Sequence, residues 1–287
     1  EIVASDWSSD VCSSDLTRDF LFYLSVDPIL RKNYHDQLTL STLYAYSEHY
    51  ILTLGNRDVG SLNEFMAKLP GDEKQKLAQV REAYSYMMVH PGCKMMAPGT
   101  DMPEGLAKCI QALNTLYKSS PALYQMDDEY DGFEWVQLMK YEENVITFLR
   151  KTEKPEETLL VICNFAAIPY ENYQVGVPFA GKYKEIFNSD AVEFGGEGVV
   201  NSRVKTAKAE ECDEREHSIK VKLPALGVSI YSCTPGKAPA RKKVTAAKTA
   251  KDKTAKDKTA KDKTAGKLVR TVKAKTPAKK SEIGRAS

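Results

Sequence analysis

Leu159-Leu-Val-Ile-Cys-Asn-Phe165 is a short run of branched and aromatic residues of strand length. Six similar runs surround it, at residues 133–139, 145–149, 173–177, 183–187, 218–223 and 227–233. Turn residues punctuate them: Asp131-Gly132, Glu143-Asn144, Lys154-Pro155, Pro178 and Gly181. Many short strands with regular turn signals predict an antiparallel β-sandwich over residues 122–234.

Working back from Pro121, the pattern changes. Residues 18–25 are apolar up to Asp27-Pro28, where proline disfavours helix in the residue before it. Residues 38–46 read as a short helix, and 49–54 as a buried strand that turns at Gly55-Asn56. Residues 72–89 form the clearest helix, with Asp72 as N-cap and Leu77, Val80, Ala83, Tyr84 and Met87 on one stripe. Pro91-Gly92 ends it, and the apolar residues 93–97 are expected to form the next buried strand. A second helix opens at Pro103-Glu104-Gly105 with Leu106, Ile110, Leu113, Leu116 and Tyr117 on a stripe. Strand, helix, strand, helix is the order of an α/β layer, so a domain boundary is placed near Pro121, with residues 17–121 before it.

Working forward, the sandwich gives way to a Lys-rich tail. Residues 235–281 hold 17 Lys and Arg against 3 Asp, a net of +14, which leaves −12 for the rest of a chain whose total is +2. Thr-Ala-Lys-Asp-Lys repeats three times from Thr249 to Lys263, and Leu268 and three Val are the only large aliphatic residues of the tail. Such a segment buries too little apolar surface to offset its ordering entropy and is expected to be disordered. It reads either as an inert extension or as a polyanion binder whose affinity falls with salt. The small total charge therefore excludes nothing until it is divided at Pro235.

At the termini, Asp6-Trp-Ser-Ser-Asp-Val-Cys-Ser-Ser-Asp-Leu16 looks like a translated sequencing adapter, and Glu282-Ile-Gly-Arg-Ala-Ser287 like the start of the opposite one. Residues 1–16 and 282–287 are accordingly left out of the fold reading. No run reaches the 18 or so apolar residues of a membrane helix, so a membrane-spanning protein is not expected. Six Cys without a CxxC pair argue against a disulfide framework and a zinc site. His35, His49 and His90 show no ligand spacing, and Cys163 in its apolar run reads as a core residue. Tyr44, Tyr46, Tyr84, Tyr86, Tyr124 and Trp135 are of a kind that stacks on sugar rings, but their spacing favours core packing.

Several stretches together resemble bacterial 1,4-α-glucan (glycogen) branching enzymes, of the α-amylase superfamily. In the first half they are Ser25-Val-Asp-Pro-Ile-Leu-Arg-Lys32, Leu43-Tyr-Ala-Tyr-Ser-Glu48, Leu69-Pro-Gly-Asp-Glu-Lys-Gln-Lys76 and His90-Pro-Gly92. Beyond these come Leu113-Asn-Thr-Leu-Tyr117, Ser120-Pro-Ala-Leu-Tyr124, Gly132-Phe-Glu-Trp135 and Val161-Ile-Cys-Asn-Phe165. Tyr183-Lys-Glu-Ile-Phe-Asn-Ser-Asp190 and Phe194-Gly-Gly-Glu-Gly-Val199 continue the series, which spans residues 17–234 in order. The resemblance implies the C-terminal part of a TIM barrel followed by an antiparallel sandwich, a cytoplasmic enzyme acting on α-glucan or glycogen, and no cofactor or metal. Such enzymes move α-1,4-linked chains to 6-hydroxyls with a carboxylate nucleophile and a carboxylic acid. The resemblance places both upstream of Thr17. It places a third carboxylate after the strand at 49–54, where the family carries Ser-His-Asp-Glu-Val-Val-His-Gly. Here Asn56 stands for the histidine and Arg57 for the aspartate, with Asp58 as a remnant only after a one-residue shift. The turn after the last barrel strand has become Gly99-Thr100-Asp101-Met102. The expectation is a catalytically inactive, degenerate barrel fragment; the rival expectation is a non-catalytic glucan- or partner-binding protein whose tail holds a polyanion.

Overall fold

The computed structural model describes residues 20–34, 51–52, 54, 62–95, 102–137 and 140–236. The expected helix at 38–46, both termini, the basic tail, Tyr44, Tyr46, His35 and His49 lie outside the described residues.

Within the compact unit that runs to Pro239, the described chain opens with helix α1, residues 20–25, and a 3-10 turn at Arg31–Tyr34. Strand β1, Ile51–Leu52, is followed by α2, Leu62–Lys68, and α3, Glu73–Val89. Asp72 and Gln75 cap α3 reciprocally: Gln75 N donates to Asp72 Oδ1 at 2.8 Å, and Asp72 N donates to Gln75 Oε1 at 3.1 Å. Gly71 enters this cap at φ +94°, and a Cβ there would meet the Gln75 side chain at 2.4 Å. Strand β2, Cys93–Lys94, then pairs in parallel with β1, Ile51 opposite Cys93 and Leu52 opposite Lys94. Helix α4, Glu104–Ser119, completes the helical half.

The parallel order agrees with the α/β reading, but one expectation needs correcting. Residues 93–97 were expected as a buried strand, whereas Cys93 and Met95 are exposed, Met95 by 51%. The reason is topological: among the described residues β2 has a neighbour on one side only. Helix α3 also departs from a one-sided stripe, since every residue from Gln79 to Val89 is buried. It is enclosed by α2, α4, β5 and β10 rather than lying on a surface.

After Pro121 the expected strands appear: β3 Phe133–Gln137, β4 Val145–Arg150, β5 Leu159–Asn164, β6 Tyr170–Val177 and β7 Gly181–Asn188. The two-residue β8, Lys205–Thr206, has no apolar pattern and is new; β9, His217–Leu223, and β10, Gly227–Pro235, end the fold. Six strands form one antiparallel sheet in the order β3-β4-β5-β10-β7-β8, and β6 with β9 forms a second.

Strand alternation then explains why β4 and β5 are buried throughout. Val145, Leu149, Leu160 and Ile162 face Val175, Ile219 and Val221 of the second sheet. Ile146, Phe148, Val161 and Cys163 face the other way, toward Tyr86, Met87 and Leu113 of the helices. One hydrophobic cluster thus draws on residues from both sides of Pro121, so the change from helical to strand pattern there does not separate two cores. Aromatic rings fill the junction: Phe20 lies 4.9 Å from Tyr86, which lies 5.8 Å from Phe165 and 6.3 Å from Phe148. Gly105 of α4 closes it from the other end, because a Cβ there would fall 2.6 Å from the Phe194 carbonyl oxygen.

Candidate functional site

The parallel register of β1 and β2 sets their carboxyl ends side by side, the end at which α/β folds gather functional groups. The residues singled out by sequence there, Asn56, Arg57 and Asp58, lie outside the described residues, as do Gly99, Thr100 and Asp101.

At the opposite, amino end of β2 the structure assembles a charged cluster. Arg150, wholly buried on β4, donates from Nη1 to the Val89 carbonyl at 2.6 Å and from Nη2 to Asp127 Oδ1. Gly92 N donates to Asp127 Oδ2 at 3.1 Å, and Lys94 Nζ lies 3.6 Å from the same oxygen. Lys94 Nζ also sits 4.9 Å from the Tyr117 ring centroid. Burial lowers the Lys94 amine to about 8 against the pull of Asp127, and lowers the His90 imidazole to about 4. His90 caps α3, its Nδ1 2.9 Å from the Pro91 carbonyl oxygen. Every charge here is spent on a neighbour. The cluster ties helix end to sheet.

A groove of about 370 Å³ lies over the second sheet, beside Tyr170, Tyr173, Lys140 and Glu143. The Tyr173 hydroxyl donates to Glu143 Oε2 at 2.9 Å, and the Tyr170 hydroxyl to the Glu143 carbonyl at 3.1 Å. The two rings stand 5.5 Å apart, with Lys140 Nζ 4.9 Å from the Tyr173 centroid. Lys140 reaches Asp213 at 3.0 Å. Burial alone would raise the Asp213 carboxyl, but the Gly176 N–H, Lys140 and Gln137 together hold it below the ordinary carboxylate range. Tyr173 is itself a core residue with Lys140 over its ring, and Tyr170 is only partly buried beside it.

Other sequence-nominated residues are structural. Cys163 is fully buried and its thiol is pushed up by burial, so it is no nucleophile. Tyr84 and Tyr86 are core residues, Trp135 packs at the core edge 4.9 Å from Phe133, and Tyr124 alone of the described set is well exposed, at 45%. Among the described residues no three His, Cys, Asp or Glu converge as a metal site. No described helix is long and apolar enough to cross a membrane. Asp127 and Arg150 escaped the sequence reading; the lone arginine closing the apolar run Val145–Arg150 was the available signal.

Residues 135–234 match the family described as alpha amylase, C-terminal all-beta domain. In the solved alpha-amylase from Geobacillus thermoleovorans, complexed with acarbose, the same architecture recurs with a TM-score of 0.54 at 11% identity, over 78% of this chain and 47% of that one. The sandwich is therefore of the α-amylase C-terminal class. The 1,4-alpha-glucan branching enzyme GlgB of Oceanobacillus iheyensis is 36% identical over 235 residues, 74% of this chain and 37% of that protein. That of Aquifex aeolicus is 37% identical over 235 residues, with 73% and 37% covered. The chain belongs with the 1,4-alpha-glucan branching enzymes and matches their C-terminal part, spanning a little over a third of the length of these relatives.

Proposed function

We propose that this chain belongs to the machinery that transfers α-1,4-glucan chains into α-1,6 branches in glycogen synthesis, in the cytoplasm, and that the chain itself is catalytically inactive. The observation that carries the first part is the 36% identity to a branching enzyme over 235 residues. In this reading residues 17–121 derive from the end of a TIM barrel, with β1 and β2 as two of its strands, and residues 122–234 are the sandwich that follows. Inactivity rests on the substitution at the third carboxylate. Arg57 puts a cation where the family's aspartate faces the developing oxocarbenium charge, and like charge there opposes the transition state.

A second, non-catalytic reading draws on the Tyr170–Tyr173 groove: the sandwich holds α-glucan, and the +14 tail holds a polyanion.

Incubation with amylose, followed by iodine absorbance and by counting chain ends after debranching, tests the inactivity. The expected result is no new branches from the unaltered chain. Branching by the unaltered chain would overturn it.

A further inference from the structure

Arg81 stands at the base of a second groove, of about 210 Å³, between the first turns of α3 and the loop after β7. Its side chain is 5% exposed, and its Nε donates to the Ser189 carbonyl at 2.9 Å. Among the described residues its two terminal amino groups make no hydrogen bond or ion pair, although the Asp190 carboxylate lies close enough to act on the charge. Neither amino group is sealed from water, so the groove presents both to a ligand that can accept from them.

The surrounding charges do not supply that acceptor. Asp190 also lines the groove, but its Oδ1 accepts from Glu197 N at 2.9 Å and its Oδ2 from Val199 N at 3.0 Å. Glu197 is drawn outward by Lys74, and both ends of that pair are more than 60% exposed. The wall is apolar, formed by Ala78, Val199 and Leu226, and close to Arg81 the loop carries glycine: a Cβ at Gly195 would lie 3.9 Å from Arg81 Nη1. The groove thus has the Arg81 guanidinium at its base, apolar side walls, and Asp190 and the Lys74–Glu197 pair among its charged groups.

We propose that this groove binds a small phosphate-bearing ligand, its oxygens taken end-on by Arg81 Nη1 and Nη2 and its charge met at the rim by Lys74 swinging from Glu197. Paired N–H donors in a fixed plane match two oxygens of a phosphate, which a lysine in place of Arg81 does not reproduce. The volume admits a phosphate with a body of about one sugar ring and no polymer. Both walls are recruited at once, so the ligand clamps α3 to the sandwich. The inference stands apart from the glucan reading.

Titration calorimetry of the full chain at constant ionic strength, with inorganic phosphate and with a hexose monophosphate, tests it. Two variants separate the groove from the Lys-rich tail: Ala78→Leu fills the groove and leaves Arg81 in place, and Arg81→Lys keeps the charge but not the fork. The expected result is one saturable site, weakened at least tenfold in both variants, each of which still unfolds cooperatively. Tighter binding of the hexose monophosphate would assign the apolar wall to the sugar body; equal binding would assign the site to the phosphate alone. No saturable binding, or binding unchanged in both variants, overturns the proposal.

Discussion

Arg150 on β4 reaches back to the last residue of α3, donating to the Val89 carbonyl at 2.6 Å while its other amino group holds Asp127. A side chain of the sandwich therefore satisfies one of the orphan carbonyls at a helix end. That bond, made by a wholly buried guanidinium, joins the two patterns of the chain.

Arg150→Met should lower stability by about 1–3 kcal/mol, because it leaves the Val89 carbonyl without its donor and Asp127 with only Gly92 N and Lys94. Urea denaturation measures this. A loss under about 1 kcal/mol would mean that the cluster is not what holds helix to sheet.

Gly105 gives a prediction whose sign is informative. Alanine inside an exposed helix gains up to about 1 kcal/mol over glycine, but here the added methyl meets the Phe194 backbone at 2.6 Å. Gly105→Ala should cost about 1–3 kcal/mol. A gain on thermal melting would show that α4 does not press on the loop after β7.

The buried Glu82 of α3 has neither carboxyl oxygen hydrogen-bonded. Burial pushes its pKa well above the ordinary carboxylate range, with Arg31 pulling the other way. The unfolded chain releases this proton near pH ~4.3. From there up to the native pKa the folded state holds the extra proton, so stability falls as pH rises, by at most ~1.4 kcal/mol per pH unit. Glu82→Met should flatten that slope and, at pH 8, raise stability by roughly 1–3 kcal/mol. Denaturation across pH 4 to 8 tests it, and an unchanged slope would sink the assignment.

How much of this was legible in the sequence follows from the residues. Runs such as Leu159–Asn164 announce strands because branched side chains fit a pleated, buried surface. The Asp72–Gln75 cap is local chemistry and was half visible, through Asp72. What escaped is whatever depends on third parties. Lys205–Thr206 is a strand only because β7 offers it an edge. Nothing local marks Arg31, Arg81 or Glu82 for burial, yet Arg31 is enclosed by carbonyls as distant in sequence as Phe165. The site residues were legible only by resemblance. Asn56, Arg57 and Asp58 carry no local pattern of their own, and the Tyr170–Tyr173 groove needed β6 to be placed against Glu143.

Whether the glucan-related sandwich holds α-glucan is read from glycogen co-sedimentation across a salt series, with and without residues 235–281. The expected result is retention that is insensitive to salt and survives loss of the tail, since ring stacking and neutral hydrogen bonds are poorly screened. Absence of retention, or retention that fades with salt and vanishes with the tail, would contradict it.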